Sequence, residues 1–340
     1  MTPPVENNAP YQEEEEIVNK LLRAIELASN EVIEDKQRPI TRLEQEKFSY
    51  FAIDDFDLPI TYSWYIEGAN TKVTGEPDRG NKRLNTDSGD VFHDVGEDPD
   101  VLKYRDYFVN TTFIPGYNFK EVWYTERLEF LHDFYTHEAP EEFLNLYLAS
   151  LTTREALRSI HQTLDSSSKN RSLGDFVRGT NPGGVIGDRT EREFREFISR
   201  YHLALAEFDD LNNIIPIVTQ CTDILEQILA KLTTLDSVEP QQQAIIHEME
   251  DFFYFDVWRY PALYVSANTA TGPNKHQLIG EHINEFTSFD QTLSSKLTRL
   301  RSRCDQADLY PDPGHHADTL DQDVRDHLNS VMLDYIEGTQ

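Results

Sequence analysis

Apolar side chains return every three or four positions over most of this 340-residue chain, the spacing of a single buried helix face. Ile17, Val18, Leu21, Leu22, Ile25 and Ala28 predict a first helix over about 13–33. The acids at 13–16 fall where the helix dipole favours negative charge. Thr41-x-x-Glu44 reads as a capping box for a second helix, ended by Asp57-Leu58-Pro59. The stretch 60–73 breaks the pattern. Its β-branched and aromatic residues lead to Gly68-Ala69-Asn70, so it is a short strand, a short helix or a wing-like hairpin.

Beyond Pro99 the helical period resumes, over 99–109, 118–137, 139–149 and 152–165, with Thr152-x-x-Glu155 as another capping box. Thr190-x-x-Glu193 opens a helix carrying Phe194, Phe197, Ile198, Tyr201 and Leu205 on one side. Val218, Cys221, Leu225, Ile228, Leu229 and Leu232 belong to the clearest stripe in the chain. Pro240 suits the first turn of the helix after it. Two further stripes run from Ile279 to Leu300 and from Leu320 to Tyr335. The fold class expected is mainly α: an N-terminal helical module, winged-helix-like if 60–73 is a hairpin, followed by an α-helical bundle. The breaks divide the chain into a loose tail (1–12), the N-terminal module (13–75), an acidic loop (76–98), a helical segment (99–168), a Gly/Ser-rich linker (169–189) and the C-terminal bundle (190–338).

Charge adds a habitat to this picture. The 61 acids outnumber the 31 Lys and Arg residues, for a formal net charge of −30. Arg leads Lys by 20 to 11. Such a chain repels itself, and molar salt screens the repulsion by shrinking the Debye length to about 3 Å. An acidic, Lys-poor composition spread along the whole chain predicts a halophile's cytoplasmic protein. No apolar run approaches the roughly 18 residues of a membrane span, and the N-terminus lacks a signal-peptide pattern. Of the two cysteines, Cys221 lies on an apolar stripe, while Cys304 follows Arg299, Arg301 and Arg303, charges that would lower its pKa.

Candidate chemistry is sparse. Glu129-x-x-His132 has the spacing of ferritin-like di-metal sites, but no second copy exists. His247 and Asp251, four apart, share a helix face, so Glu129, His132, His247 and Asp251 form the metal-site hypothesis. With acids this frequent, a carboxylate near a histidine carries little weight. Glu281, His282 and Glu285 form a similar set. The glycines of 179–187 lack the Lys-Ser/Thr that completes a phosphate loop, and they read as a connector. Trp258, Arg259, Tyr260 and Tyr264 form an aromatic patch that is either an interface or the end of a core helix stopped by Pro261. Lys296, Arg299, Arg301 and Arg303 form the most basic island, and Arg154, Arg158, Lys169, Arg171 and Arg178 a looser one. Ion pairing with the abundant acids is the plainer role of both.

One local pattern bears on function. Ile40-Thr41-x-Leu43, then Lys47-Phe48-x-Tyr50-Phe51-Ala52, with Trp64 and Gly68 after it, resembles the opening of Panacea-type antitoxin domains over about 30 residues. This chain has Gly68-Ala69 where that family has Gly-Pro. The resemblance implies a helical module that neutralises or delivers another protein, and it implies no catalytic residue; Trp64 joins the interaction candidates, and no cofactor is expected. The expectation is a non-enzymatic regulatory or interaction protein, antitoxin-like or adaptor-like, partnered by another protein. A metal-dependent enzyme within the bundle is the first alternative. A DNA-binding regulator is the second, opposed by the acids Glu44, Glu46, Asp54 and Asp55 that flank Arg42 and Lys47.

Overall fold

The computed structural model describes residues 12–34, 38–71, 98–169 and 185–311. The tail before residue 12, most of the acidic loop, most of the 169–189 linker, His315-His316 and the stripe beyond residue 320 lie outside the described residues.

The molecule is mainly α, as the apolar spacing predicts. Helix α1 (Gln12–Val32) packs its stripe on α3 (Pro99–Asn110) and also meets α2 (Arg42–Asp55) and α4 (Phe119–Tyr124). The capping box of α2 is formed: the Glu44 amide donates to Thr41 Oγ1 at 3.3 Å, and the Thr41 amide donates to Glu44 Oε2 at 2.6 Å. Several boundaries differ from expectation; among them, Thr190 lies inside a helix that already begins at Asp188, and the stripe from Ile279 to Leu300 is divided between two helices, Lys275–Thr287 and Phe289–Gln306. The helix expected over 118–137 breaks in two, because the Glu126 carboxylate caps α5 (Arg127–Glu138) by accepting from the Leu128 amide at 2.7 Å. The helices expected over 139–149 and 152–165 are one, α6 (Leu144–Lys169), preceded by a 3₁₀ turn. Thr152 does not cap; its hydroxyl donates back to the Leu148 carbonyl at 2.8 Å inside the helix.

The segment 60–71 is a hairpin, β1 (Tyr62–Tyr65) with β2 (Gly68–Thr71), paired antiparallel from Tyr62↔Thr71 to Tyr65↔Gly68. Gly68 takes φ 88°, and a Cβ there would meet Phe134 and Tyr135 at 3.0 Å, so only glycine fits the turn. A wing would stand in solvent; this hairpin is buried along nearly its whole length. A second small ladder, β3 (Thr112–Ile114) with β4 (Tyr117–Asn118), leads into α4.

The C-terminal part continues with α7 (Asp188–Ala206), α8 (Ile215–Leu232), α9 (Pro240–Asp251), α10 (Arg259–Thr269), α11 (Lys275–Thr287) and α12 (Phe289–Gln306). Neighbours pack in sequence: α5 on α6, α6 on α7, α7 on α8 and α10 on α11, with α12 closing on α8 and α9. Between α9 and α10 the backbone makes a π-helical turn, Phe252–Val257, and the Trp258 amide reaches five residues back to Phe253 O at 2.8 Å. Pro261 therefore does not stop a helix. It falls in the first turn of α10, where a missing N–H costs little.

The hairpin joins the two halves. β1 packs on α10, and Tyr62 and Thr271 exchange backbone hydrogen bonds of 3.3 and 2.9 Å. The Ile66 carbonyl, at the hairpin turn, accepts from Tyr254 Oη and Trp258 Nε1, both at 2.9 Å. The buried Glu14 carboxylate accepts from the Thr61 amide at 2.8 Å, from Thr61 Oγ1 at 2.7 Å and from Asn274 Nδ2 at 2.6 Å. One apolar core, from Val18 to Leu309, runs through both the N-terminal module and the bundle.

Candidate functional site

The hairpin turn also carries Glu67, and around it lies a cleft of about 530 Å³. Five arginines line it: Arg38 before α2, Arg42 in its first turn, Arg127 at the start of α5, and Arg154 and Arg158 on α6. The spacing of four places the last two on one helix face. Five acids line the same cleft, Glu44, Glu67, Glu126, Glu250 and Asp251. Equal numbers make this a basic place in a chain whose acids outnumber its bases two to one.

Each arginine has a carboxylate. Arg38 forks onto Glu44 at 2.8 and 2.5 Å, donates to the Trp123 carbonyl at 2.6 Å and lies 4.3 Å over the Trp123 ring. Arg42 Nε donates to Glu46 at 2.8 Å, and Arg158 Nη1 pairs with Glu126 at 2.8 Å. Arg154 Nε donates to Glu250 at 2.9 Å, and its guanidinium stacks 3.7 Å from the Tyr254 ring. Arg127 Nη2 bonds Glu67 Oε1, and Arg154 Nη1 stands 3.6 Å from the same oxygen. At 3.6 Å that contact is an ion pair without a hydrogen bond. Arg154 is only 6% exposed, so its Nη1, like Arg127 Nε, is a buried donor that no acceptor satisfies. Such a donor costs about 1–3 kcal/mol.

Beneath the cleft lies fully buried Lys47, which donates to the Ala69 carbonyl at 2.8 Å and so pins β2 to α2. Burial pushes its ammonium down to about 8, against the pull of Glu46 and Glu67. Burial likewise raises Glu46, which Lys47 and Arg42 only partly offset. Burial alone would raise Glu67 too, but Arg127, Arg154 and Lys47 together carry it below the ordinary carboxylate value. Glu67 is thus the fixed anion of the floor. The apolar wall opposite is built from Leu43, Val122, Phe130 and Phe255.

Apart from Arg154 and Arg158 of the looser basic island, the metal-site and interaction candidates fall elsewhere, with one exception. Asp251 lines the cleft. Glu129 and His132 lie on α5, where His132 faces Asp133 at 3.6 Å; His247 lies on α9, 5.1 Å from the His161 ring. Both helices pack on α6, and among the described residues no group of three or more His, Cys, Asp or Glu side chains could hold a metal ion. His282 is buried with its Nδ1 2.6 Å from Ser266 Oγ, while Glu285 pairs with Arg259. Most of the aromatic patch is core: Trp258 and Tyr260 are buried, as is Trp64 in the hairpin, while Tyr264 packs between Phe143 and Phe208 and Arg259 is one-third exposed. In the basic island, Lys296 pairs with Asp256 and Arg303 with Glu248, while Arg299 and Arg301 are exposed. Cys304 is no activated thiol; burial drives it up to about 12, and Arg303 opposes only weakly.

Two of the five cleft arginines, Arg154 and Arg158, stood out in the sequence as part of the looser basic island. Arg38 and Arg127 carried no signal, and Arg42 entered only through the DNA-binding alternative, because this pair at 38 and 42 and the lone Arg127 lie far apart in the chain. The motif residues Lys47, Trp64 and Gly68 prove to be what holds the hairpin and its Glu67 in place. Among the described residues no helix is long and apolar enough to cross a membrane. Comparison with the curated proteins and with the solved structures finds no match. The model of the family described as domain of unknown function DUF8098 matches residues 7–337, nearly the whole chain, and the protein belongs to that family.

Proposed function

We propose that this chain is a non-enzymatic regulatory protein of a halophile's cytoplasm, antitoxin-like or adaptor-like, which acts by holding another protein and receives an acidic group of that partner in the arginine cleft. The observation that carries this reading is the convergence of five arginines on one concave site in a chain of net charge −30. Guanidinium groups bind and orient oxyanions, yet at any physiological pH they neither accept a proton nor attack a substrate. The arginines of the site thus suit recognition better than proton transfer. The DNA-binding alternative is further weakened at α2, where Lys47 is buried and Arg42 is taken up by Glu46.

The test is recovery of the chain from its native host at molar KCl, beside an Arg127→Ala/Arg158→Ala variant checked for an unchanged melting transition. The expected outcome is one protein retained in stoichiometric amount by the wild type and lost by the variant. Recovery of the wild type alone, or equal retention by both, overturns the proposal.

A further inference from the structure

The charge balance of the cleft narrows what it can accept. Five carboxylates among five arginines leave no net positive charge, so nothing in the cleft repays the greater desolvation of a dianion such as a phosphate monoester. A single carboxylate adds one charge and brings two oxygens to accept N–H donors. The donors are present. Arg127 and Arg158 are each about one-third exposed at the mouth, at 33% and 36% of their side-chain surface. Behind them, Arg127 Nε and the Nη1 of nine-tenths-buried Arg154 lack any acceptor. Beside these donors, the largely buried Leu43, Val122, Phe130 and Phe255 supply the apolar part of the lining. A cavity of about 530 Å³ is of small-molecule size, enough for one residue and its neighbour but not for a helix.

Resting on the binding role proposed above, we infer that the cleft recognises a monocarboxylate joined to an apolar side chain, and that the group it takes is the C-terminal residue of the partner protein. The carboxylate lies on Arg127 and Arg158, with Arg154 behind, and the side chain lies on Phe130 and Phe255.

Calorimetric titration at molar KCl tests this with N-acetyl-leucine, N-acetyl-leucinamide, acetate, inorganic phosphate and a short peptide ending in a free leucine carboxylate. The expected result is saturable binding of N-acetyl-leucine, with the peptide at least as tight, and the amide, acetate and phosphate at least tenfold weaker. Arg127→Ala should weaken the peptide by tenfold or more, and Arg158→Ala at the rim should do so by a smaller factor if the first variant does not fold. Equal binding of the amide or tighter binding of phosphate overturns the inference. So does binding of N-acetyl-leucine with exclusion of the peptide, which would point to a free small acid. If all these probes fail while the cleft variant still releases a protein partner, the inference falls and the proposed function stands.

Discussion

Two carboxyl groups, the buried Glu67 and the half-buried Glu226, show how desolvation can have opposite outcomes. Glu67 shares its pocket with Arg127, Arg154 and Lys47, and they hold it ionised. Glu226, on α8, has Arg195 to favour its charge but Asp223 and Glu191 against it, so burial dominates and lifts it to about 7. A carboxyl raised from its ordinary 4.5 binds a proton in the folded state that the unfolded chain has released between those two values. The resulting stability is fully present below pH 4.5 and is lost as pH rises through about 7. Urea unfolding at pH 5 and pH 8 in fixed KCl should therefore show the wild type losing stability by at most ~1.4 kcal/mol per pH unit from this group. Glu226→Gln should flatten that slope; an unchanged slope in the variant would assign the pH dependence elsewhere.

Among the elements, the hairpin is the unusual one. A two-stranded hairpin is marginal alone in water. Here Lys47 holds the Ala69 carbonyl from below, Tyr254 and Trp258 hold the Ile66 carbonyl from above, and β1 lies along α10. Its amides should exchange with solvent only on global unfolding, as slowly as the centre of α8. Faster exchange than α8 by hydrogen–deuterium mass spectrometry would show a hairpin that opens by itself. This element was half legible in the sequence. The aromatic, β-branched run and the turn at Gly68 announced a hairpin among other options, whereas its burial depends on partners some 190 residues away that no local pattern encodes. The helices read better, since an apolar stripe is local. Thr41 capped α2 as expected because a loop precedes it. Thr152 did not cap because the apolar stripe continues across it, and its hydroxyl then bonded the helix carbonyl behind it. The cleft was the least legible part, being assembled from arginines of three segments far apart in the chain.

At the scale of the whole molecule the acid excess governs behaviour. Local pairing is common on the surface, from Lys20 with Asp98 to Arg303 with Glu248, but bases run out long before acids do. The unpaired remainder repels itself until salt screens it. The melting temperature should climb by on the order of 10 °C or more between 0.1 and 2 M KCl. A midpoint indifferent to KCl would contradict the halophilic reading.

The ties between the two ends of the described fold also set a schedule for its birth. Glu14 emerges from the ribosome at the outset, while Asn274, one of its hydrogen-bond donors, follows 260 residues later. At roughly 5–20 residues per second that interval is on the order of 13–52 s. For nearly all of it the hairpin has no α10 to lie against and the Ile66 carbonyl has neither of its donors, since Tyr254, Trp258 and α10 come only in its last stretch. The N-terminal helices must wait in an open state, and it is synthesis of the last third that seals the first.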